Sequence, residues 1–138
     1  MMINKEDANI LIVDDIEDNR YTLERRLKRD GYTNIFTAEG GKTALEMAAD
    51  NKFDLILLDL MMPDMSGLEV LKYLKGDPMQ RSIPVIMVTA SDEVETAAEC
   101  IINGADDFIT KPFNGTLLKA RVGASLEKKR LRDTEENY

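Results

Sequence analysis

Five short apolar runs punctuate the chain: Asn9–Val13, Asn34–Ala38, Leu55–Asp59, Pro84–Thr89 and Asp107–Thr110. The first, third and fourth are rich in Ile, Leu and Val and do not alternate with polar residues. A run apolar on both faces suits a strand covered on each side of a parallel sheet. Asn34–Ala38 is more polar, so it is expected at an edge. Between the runs the apolar positions change to helical spacing. Ile16, Leu23 and Leu27 share one face of a first helix, with Arg25, Arg26, Lys28 and Arg29 around the other and Asp30-Gly31 as a stop. Ala44, Leu45 and Ala48 line a second. Ser66 caps a third, which turns Leu68, Leu71 and Leu74 inward. Ser91 or Asp92 caps a fourth, with Val94, Ala98 and Ile101 inward and Asn103-Gly104 at its end. Asn114 caps a fifth, with Leu118, Val122 and Leu126 inward.

The runs begin at residues 9, 34, 55, 84 and 107, so 21 to 29 residues separate successive starts. A parallel crossover needs about a dozen residues or more, and each interval has room for one. Five successive strand–helix units predict an α/β fold, a doubly wound parallel sheet with helices on both faces. A closed eightfold barrel needs about 250 residues, and the chain has 138. The charged segment from Glu127 continues the fifth helix. Residues 1–126 are therefore expected to form the domain, and 127–138 a helical extension or a linker toward a further domain.

Composition removes many chemistries. Apolar residues are 43% and charged residues 32% of the chain, which predicts a packed core. A formal charge of −8 argues against a nucleic-acid surface. The absence of histidine removes Ser-His-Asp and Cys-His catalysis, His metal ligands and an internal phosphohistidine. A single cysteine removes internal disulfides and multi-Cys zinc sites. The longest apolar runs fall far short of the ~18 residues of a membrane span. Met1–Asn9 is polar and partly acidic, unlike a signal peptide. A reduced, cytoplasmic domain without membrane contact is expected, with its chemistry left to carboxylates, hydroxyls and lysines.

Open α/β sheets bind ligands beyond the carboxyl ends of their strands. At those ends stand Asp14-Asp15, Asp59, Thr89-Ala90-Ser91 and Thr110-Lys111-Pro112. Three neighbouring carboxylates repel one another unless a cation intervenes. A half-open site of oxygen ligands suits Mg²⁺. Lys111 and Thr89 can then hold the oxygens of a transferring phosphoryl group, with Asp59 the natural nucleophile.

The stretches ILIVDD, LILLDLMMPDMSGLEVL, VIMVTA and GADDFITKPF stand in this order along the chain. With them the sequence resembles the receiver domain of two-component response regulators, from about Ala8 to Leu126. The resemblance implies a flavodoxin-like five-stranded sheet of order 2-1-3-4-5 with five helices. It implies Asp59 as phosphoacceptor, with Asp14 and Asp15 completing an acidic pocket. Mg²⁺ or Mn²⁺ would be held by Asp15, Asp59 and the Met61 carbonyl. Thr89 and Lys111 would bind phosphoryl oxygens, and the rotamer of Phe108 would track activation. The Lys111–Pro112 peptide would be cis, and Pro63 and Gly67 would shape the loop after the third strand. Met61 and Ser91 would flank the path of the attacking water. Neither is an acid, an amide or a base, so a long-lived phosphoryl group is expected.

A histidine kinase or histidine phosphotransfer protein would have to supply the phosphoryl group. The face made by the fourth helix, fifth strand and fifth helix would then change and control an output. A homodimer on phosphorylation is possible within the family. Asp106, Asp107 and Arg121 match the ion-pair pattern of its winged-helix subgroup. Ala97 and Leu117 stand where a lysine and a glutamate are expected. A dimer is therefore expected to lean also on the stretch from Leu126 to Leu131. The charged tail resembles linkers leading to enzymatic outputs such as nucleotide cyclases, so a regulatory fragment of a larger enzyme is the alternative. A phosphohydrolase using an aspartyl-phosphate would want a second Asp where Met61 stands. A flavin mononucleotide binder would want a Ser/Thr/Gly-rich loop where Asp14-Asp15 stand. No catalytic activity beyond self-catalysed phosphotransfer and dephosphorylation is expected of the domain itself. Cys100 and the methionines Met61, Met62 and Met65 read as packing. Lys128, Lys129, Arg130 and Arg132 read as a solvated face complementing a helix C-terminus.

Overall fold

The computed structural model describes residues 4–136. Its elements alternate: β1 (Asn9–Val13), α1 (Glu17–Arg29), β2 (Asn34–Ala38), α2 (Gly41–Asp50), β3 (Leu55–Asp59), α3 (Gly67–Gly76), β4 (Val85–Thr89), α4 (Val94–Ile102), β5 (Asp107–Thr110) and α5 (Gly115–Glu136). The strands are parallel and lie in the order β2-β1-β3-β4-β5, a flavodoxin-like arrangement. Side chains of a strand alternate between faces, and both faces are covered. Leu11, Val13, Ile56, Leu58, Val85 and Met87 pack with Ala44 and Ala48 of α2 and Val70, Leu71 and Leu74 of α3. Ile10, Ile12, Leu55, Leu57, Ile86 and Val88 pack with Leu23 and Leu27 of α1 and Leu118, Val122 and Leu126 of α5. Every residue of β3 and β4 is buried, which explains why those runs carry no polar alternation. β2 lies at the edge, as its polarity predicts.

Two helices differ from the expectation. Ile16 does not lie on the inner face of α1; it is the N-cap residue and is 50% exposed. In α4 the buried residues are Ala97 and Cys100, whereas Val94, Ala98 and Ile101 face outward. The helix sets its two small side chains against the sheet, and helix packing distance follows side-chain size. Neither Ser91 nor Asp92 caps it. Its N-cap is Glu93, whose carboxylate accepts from the Ala90 N–H at 2.7 Å. Ala97, 0% exposed, thus cannot stand on an exposed interface face. Ser66 and Asn114 do accept from helix-start N–H groups, of Glu69 and Leu117 respectively.

α5 is continuous over 22 residues. Its last turns are not free of the domain. Arg132 donates to the Ser82 carbonyl at 2.9 Å and to Asp106 Oδ1 at 2.6 Å. The Asp106 side chain is 4% exposed, and its other oxygen accepts from the Val85 N–H at 2.9 Å. Asp107 pairs with Arg121 at 3.5 Å. Asp106 and Asp107 therefore each meet an arginine of their own chain. Leu126 is buried in the core, while Leu131 is exposed. Among the described residues no helix is long and apolar enough to cross a membrane.

Candidate functional site

β1 and β3 are neighbours, with Val13 beside Leu58, so their carboxyl ends set Asp14 and Asp59 side by side. One oxygen from each of Asp14, Asp15 and Asp59 lies within 4.8 Å of the others. Asp14 and Asp59 are buried, and Asp15 is the more open member. Lys111, at the end of β5, reaches over β4 into this group. Its Nζ lies 3.2 Å from Asp59 Oδ1 and 3.6 Å from Asp14 Oδ2. Its backbone N–H donates to the Thr89 carbonyl at 2.8 Å, and the Lys111–Pro112 peptide is cis.

Burial disfavours charge on Asp59, and Asp14 adds repulsion; together they outweigh Lys111 and push its pKa up to about 6. For Lys111, burial opposes the charge, but Asp59 and Asp14 outweigh it and hold the ammonium above its ordinary value. Two buried polar atoms, Asp14 Oδ2 and Thr89 Oγ1, have no hydrogen-bond partner among the described residues. An unpartnered buried polar atom costs about 1–3 kcal/mol. Such atoms mark a place where a ligand can complete the bonding. Clustered carboxylates, one with a buried oxygen that meets only the Lys111 ammonium at 3.6 Å, fit a hard divalent cation with oxygen ligands. A hydroxyl and an ammonium beside them fit an oxyanion.

The surroundings hold this geometry. A Cβ on Gly67 would collide with the Asp59 carbonyl oxygen, so only glycine lets the following loop fold back to where Gly67 N donates to the Leu60 carbonyl at 2.7 Å. Asp64 accepts from the N–H groups of Gly41 at 3.1 Å and Lys42 at 3.0 Å, tying the same loop to the start of α2. Those N–H groups hold its carboxyl below the usual value. Asn19 and Arg20 both contact Asp14. Asn19, Arg20, Asp64 and Glu93 were not evident from the sequence. The one signal was α2's start at Gly40-Gly41, which has no capping side chain of its own and needs an acceptor from elsewhere.

Asp14, Asp15, Asp59 and Lys111 are thus brought together, with Thr89 buried at the adjoining strand end. Phe108 lies beside Met87 in the sheet, half-buried against the core. Its carbonyl accepts from Arg121, whose guanidinium lies 5.9 Å from the ring centre. Met61 and Ser91 are on exposed loops, and Pro63 is exposed.

A family model described as the response regulator receiver domain matches residues 10–123. The response regulator PleD of Caulobacter vibrioides is 48% identical over 115 residues, which cover 83% of this chain and 25% of PleD. A probable cyclic di-GMP phosphodiesterase of Vibrio cholerae is 41% identical over 126 residues, covering 91% of this chain and 28% of that protein. Among solved structures, NtrX from Brucella abortus superposes with a TM-score of 0.86 at 31% identity, covering 94% of this chain and 29% of NtrX. The chain spans 25% of the length of the first relative and 28% of the second.

Proposed function

The chain belongs to the response regulator receiver family, and from that premise we propose a phosphorylation-controlled switch whose phosphoacceptor is Asp59. The observation that carries the proposal is the convergence of Lys111 on Asp59 and Asp14 beside the unpartnered Thr89 hydroxyl. A carboxylate oxygen of Asp59 attacks the phosphorus of a phosphohistidine on a histidine kinase or histidine phosphotransfer protein. The new O–P bond forms as the N–P bond breaks, and the electron pair leaves with the partner's imidazole. The Lys111 ammonium and the Thr89 hydroxyl receive the phosphoryl oxygens. Asp15, Asp59 and the Met61 carbonyl would hold Mg²⁺ or Mn²⁺, with Asp14 completing the acidic pocket. When bound, the cation neutralises the carboxylates and the transferring group.

The phosphoryl group adds a charge of about −1.5 to −2. Thr89 is drawn to it, Phe108 turns into the space vacated, and the α4-β5-α5 face changes. Both states pre-exist, and phosphorylation shifts their ratio. The switch would span residues 1–126 and the extension 127–138, of which 1–3, 137 and 138 lie outside the described residues, in the cytoplasm and without direct nucleic-acid or membrane contact. A second reading makes this receiver the regulatory part of a larger enzyme such as a nucleotide cyclase. Its support is that relatives such as the probable cyclic di-GMP phosphodiesterase are about four times longer than the matched segment.

The test is incubation with acetyl phosphate and Mg²⁺, followed by intact mass measurement. One phosphoryl adduct is expected, absent in Asp59→Asn. An adduct that survives that substitution would sink the assignment.

A further inference from the structure

Asp14 is 0% exposed, and its oxygens serve different ends. Oδ1 accepts from the Ile16 N–H at 2.9 Å and lies 3.4 Å from Nδ2 of Asn19. Oδ2 has no hydrogen-bond partner among the described residues and faces Lys111 at 3.6 Å. The backbone carbonyl of Asp14 accepts from Nη1 of Arg20 at 2.8 Å. On the β1 side, the Asp14 N–H donates to the Ala38 carbonyl at 3.1 Å. Asn19 and Arg20 stand in the first turn and a half of α1 and reach back over the Asp14-Asp15-Ile16 turn. The turn is therefore tied at both ends, and Asp15 leaves it toward the other carboxylates.

We propose that Arg20, assisted by Asn19, is a positioning residue for the acidic pocket. It fixes the Asp14-Asp15 turn so that the carboxylates are already placed for a divalent cation. The cation part rests on the proposed function; the fixing of the turn does not. The division of Asp14's oxygens carries the inference. Oδ1 and the carbonyl are spent on the turn, which leaves Oδ2 pointed at the site. The guanidinium's charge by itself opposes a cation nearby, so its contribution to the pocket is the hold on the Asp14 carbonyl. A lysine keeps a donor for the carbonyl but on a flexible stem, without the guanidinium's planar geometry. Partners behind metal-binding side chains commonly contribute about 10–100-fold in metal affinity.

The experiment uses the full chain as wild type, Arg20→Gln, Arg20→Lys and Asn19→Ala. Mg²⁺ affinity is measured by calorimetry, and amide exchange at Ile16 is followed by NMR in metal-free buffer. Arg20→Gln is expected to bind Mg²⁺ about tenfold more weakly and to exchange Ile16 faster, with an unchanged metal-free melting temperature. Arg20→Lys should recover part of the affinity. Asn19→Ala, losing the longer bond, should show a smaller loss. Wild-type affinity in Arg20→Gln overturns the proposal. So does an affinity loss that merely follows melting temperature across the variants, because Arg20 would then support the fold and not the pocket. If wild type binds no Mg²⁺, the proposed function fails. Ile16 exchange still decides: equal rates in wild type and Arg20→Gln overturn the positioning role.

Discussion

The Asp59 carboxyl sits where its charge is resisted, with burial and Asp14 raising its pKa to about 6. A folded-state value above the unfolded one means that the folded chain holds the proton more tightly. Ionising Asp59 therefore costs stability. The cost is absent below its ordinary value of 3.8, grows as pH rises toward about 6, and is full above that. At about 1.4 kcal/mol per pK unit, removing the carboxylate should stabilise the metal-free chain by about 1–3 kcal/mol. Asp59→Asn is thus expected to melt higher than wild type at pH 8 without Mg²⁺, with the gain fading toward pH 4. Thermal melts across that range check it, and an equal gain at both ends contradicts it. A second prediction concerns lifetime. Met61 and Ser91 are exposed at the rim and carry no group that orients water well. Met61→Asn with Ser91→Glu should shorten the half-life of the phosphorylated chain, measured as decay of the phosphoryl adduct. Unchanged decay would remove these positions from the water's path.

Among elements, the strands were legible and α4 was not. The runs of β3 and β4 are buried on both faces, so their continuous Ile, Leu and Val have one reading. α4 has two apolar arcs. The larger side chains Val94, Ile101 and Ile102 lie outside, and the small Ala97 and Cys100 lie inside. Periodicity with residue size points to Val94, Ala98 and Ile101, but size complementarity with the sheet turns Ala97 and Cys100 inward instead. The site carboxylates were legible because strand ends converge in this topology. Arg20, Asp64 and Glu93 were not, since their roles depend on side-chain reach across turns and not on spacing. The same is true of Arg132, which sequence alone placed on a solvated face. Arg132→Ala should leave the buried Asp106 carboxylate short of its guanidinium, at a cost of about 1–3 kcal/mol. Limited proteolysis should then cut faster within residues 127–136. Unchanged cleavage would mean that the contact does not hold the extension.

At the scale of the molecule, the proposed phosphorylation at the strand ends is to be read at the α4-β5-α5 face. β4 and β5 carry both Thr89 and Phe108, and α4 and α5 flank them with exposed Val94, Ile101, Ile102 and Leu117. An exposed apolar set of this kind suits association. Ile102 is 84% exposed, so Ile102→Glu should leave folding intact and abolish any dimer formed on phosphorylation. Sedimentation of phosphorylated wild type and variant checks it, and a dimer equally stable in both would move the interface elsewhere. All of this depends on where the phosphoryl group lands. The most direct measurement is reduction of the acetyl-phosphate-treated chain with borohydride, which converts an aspartyl phosphate to homoserine, followed by peptide mass spectrometry. Homoserine at position 59 alone is the predicted result. Homoserine at Asp14 or Asp15, or none with the adduct still present, would contradict Asp59 as the phosphoacceptor.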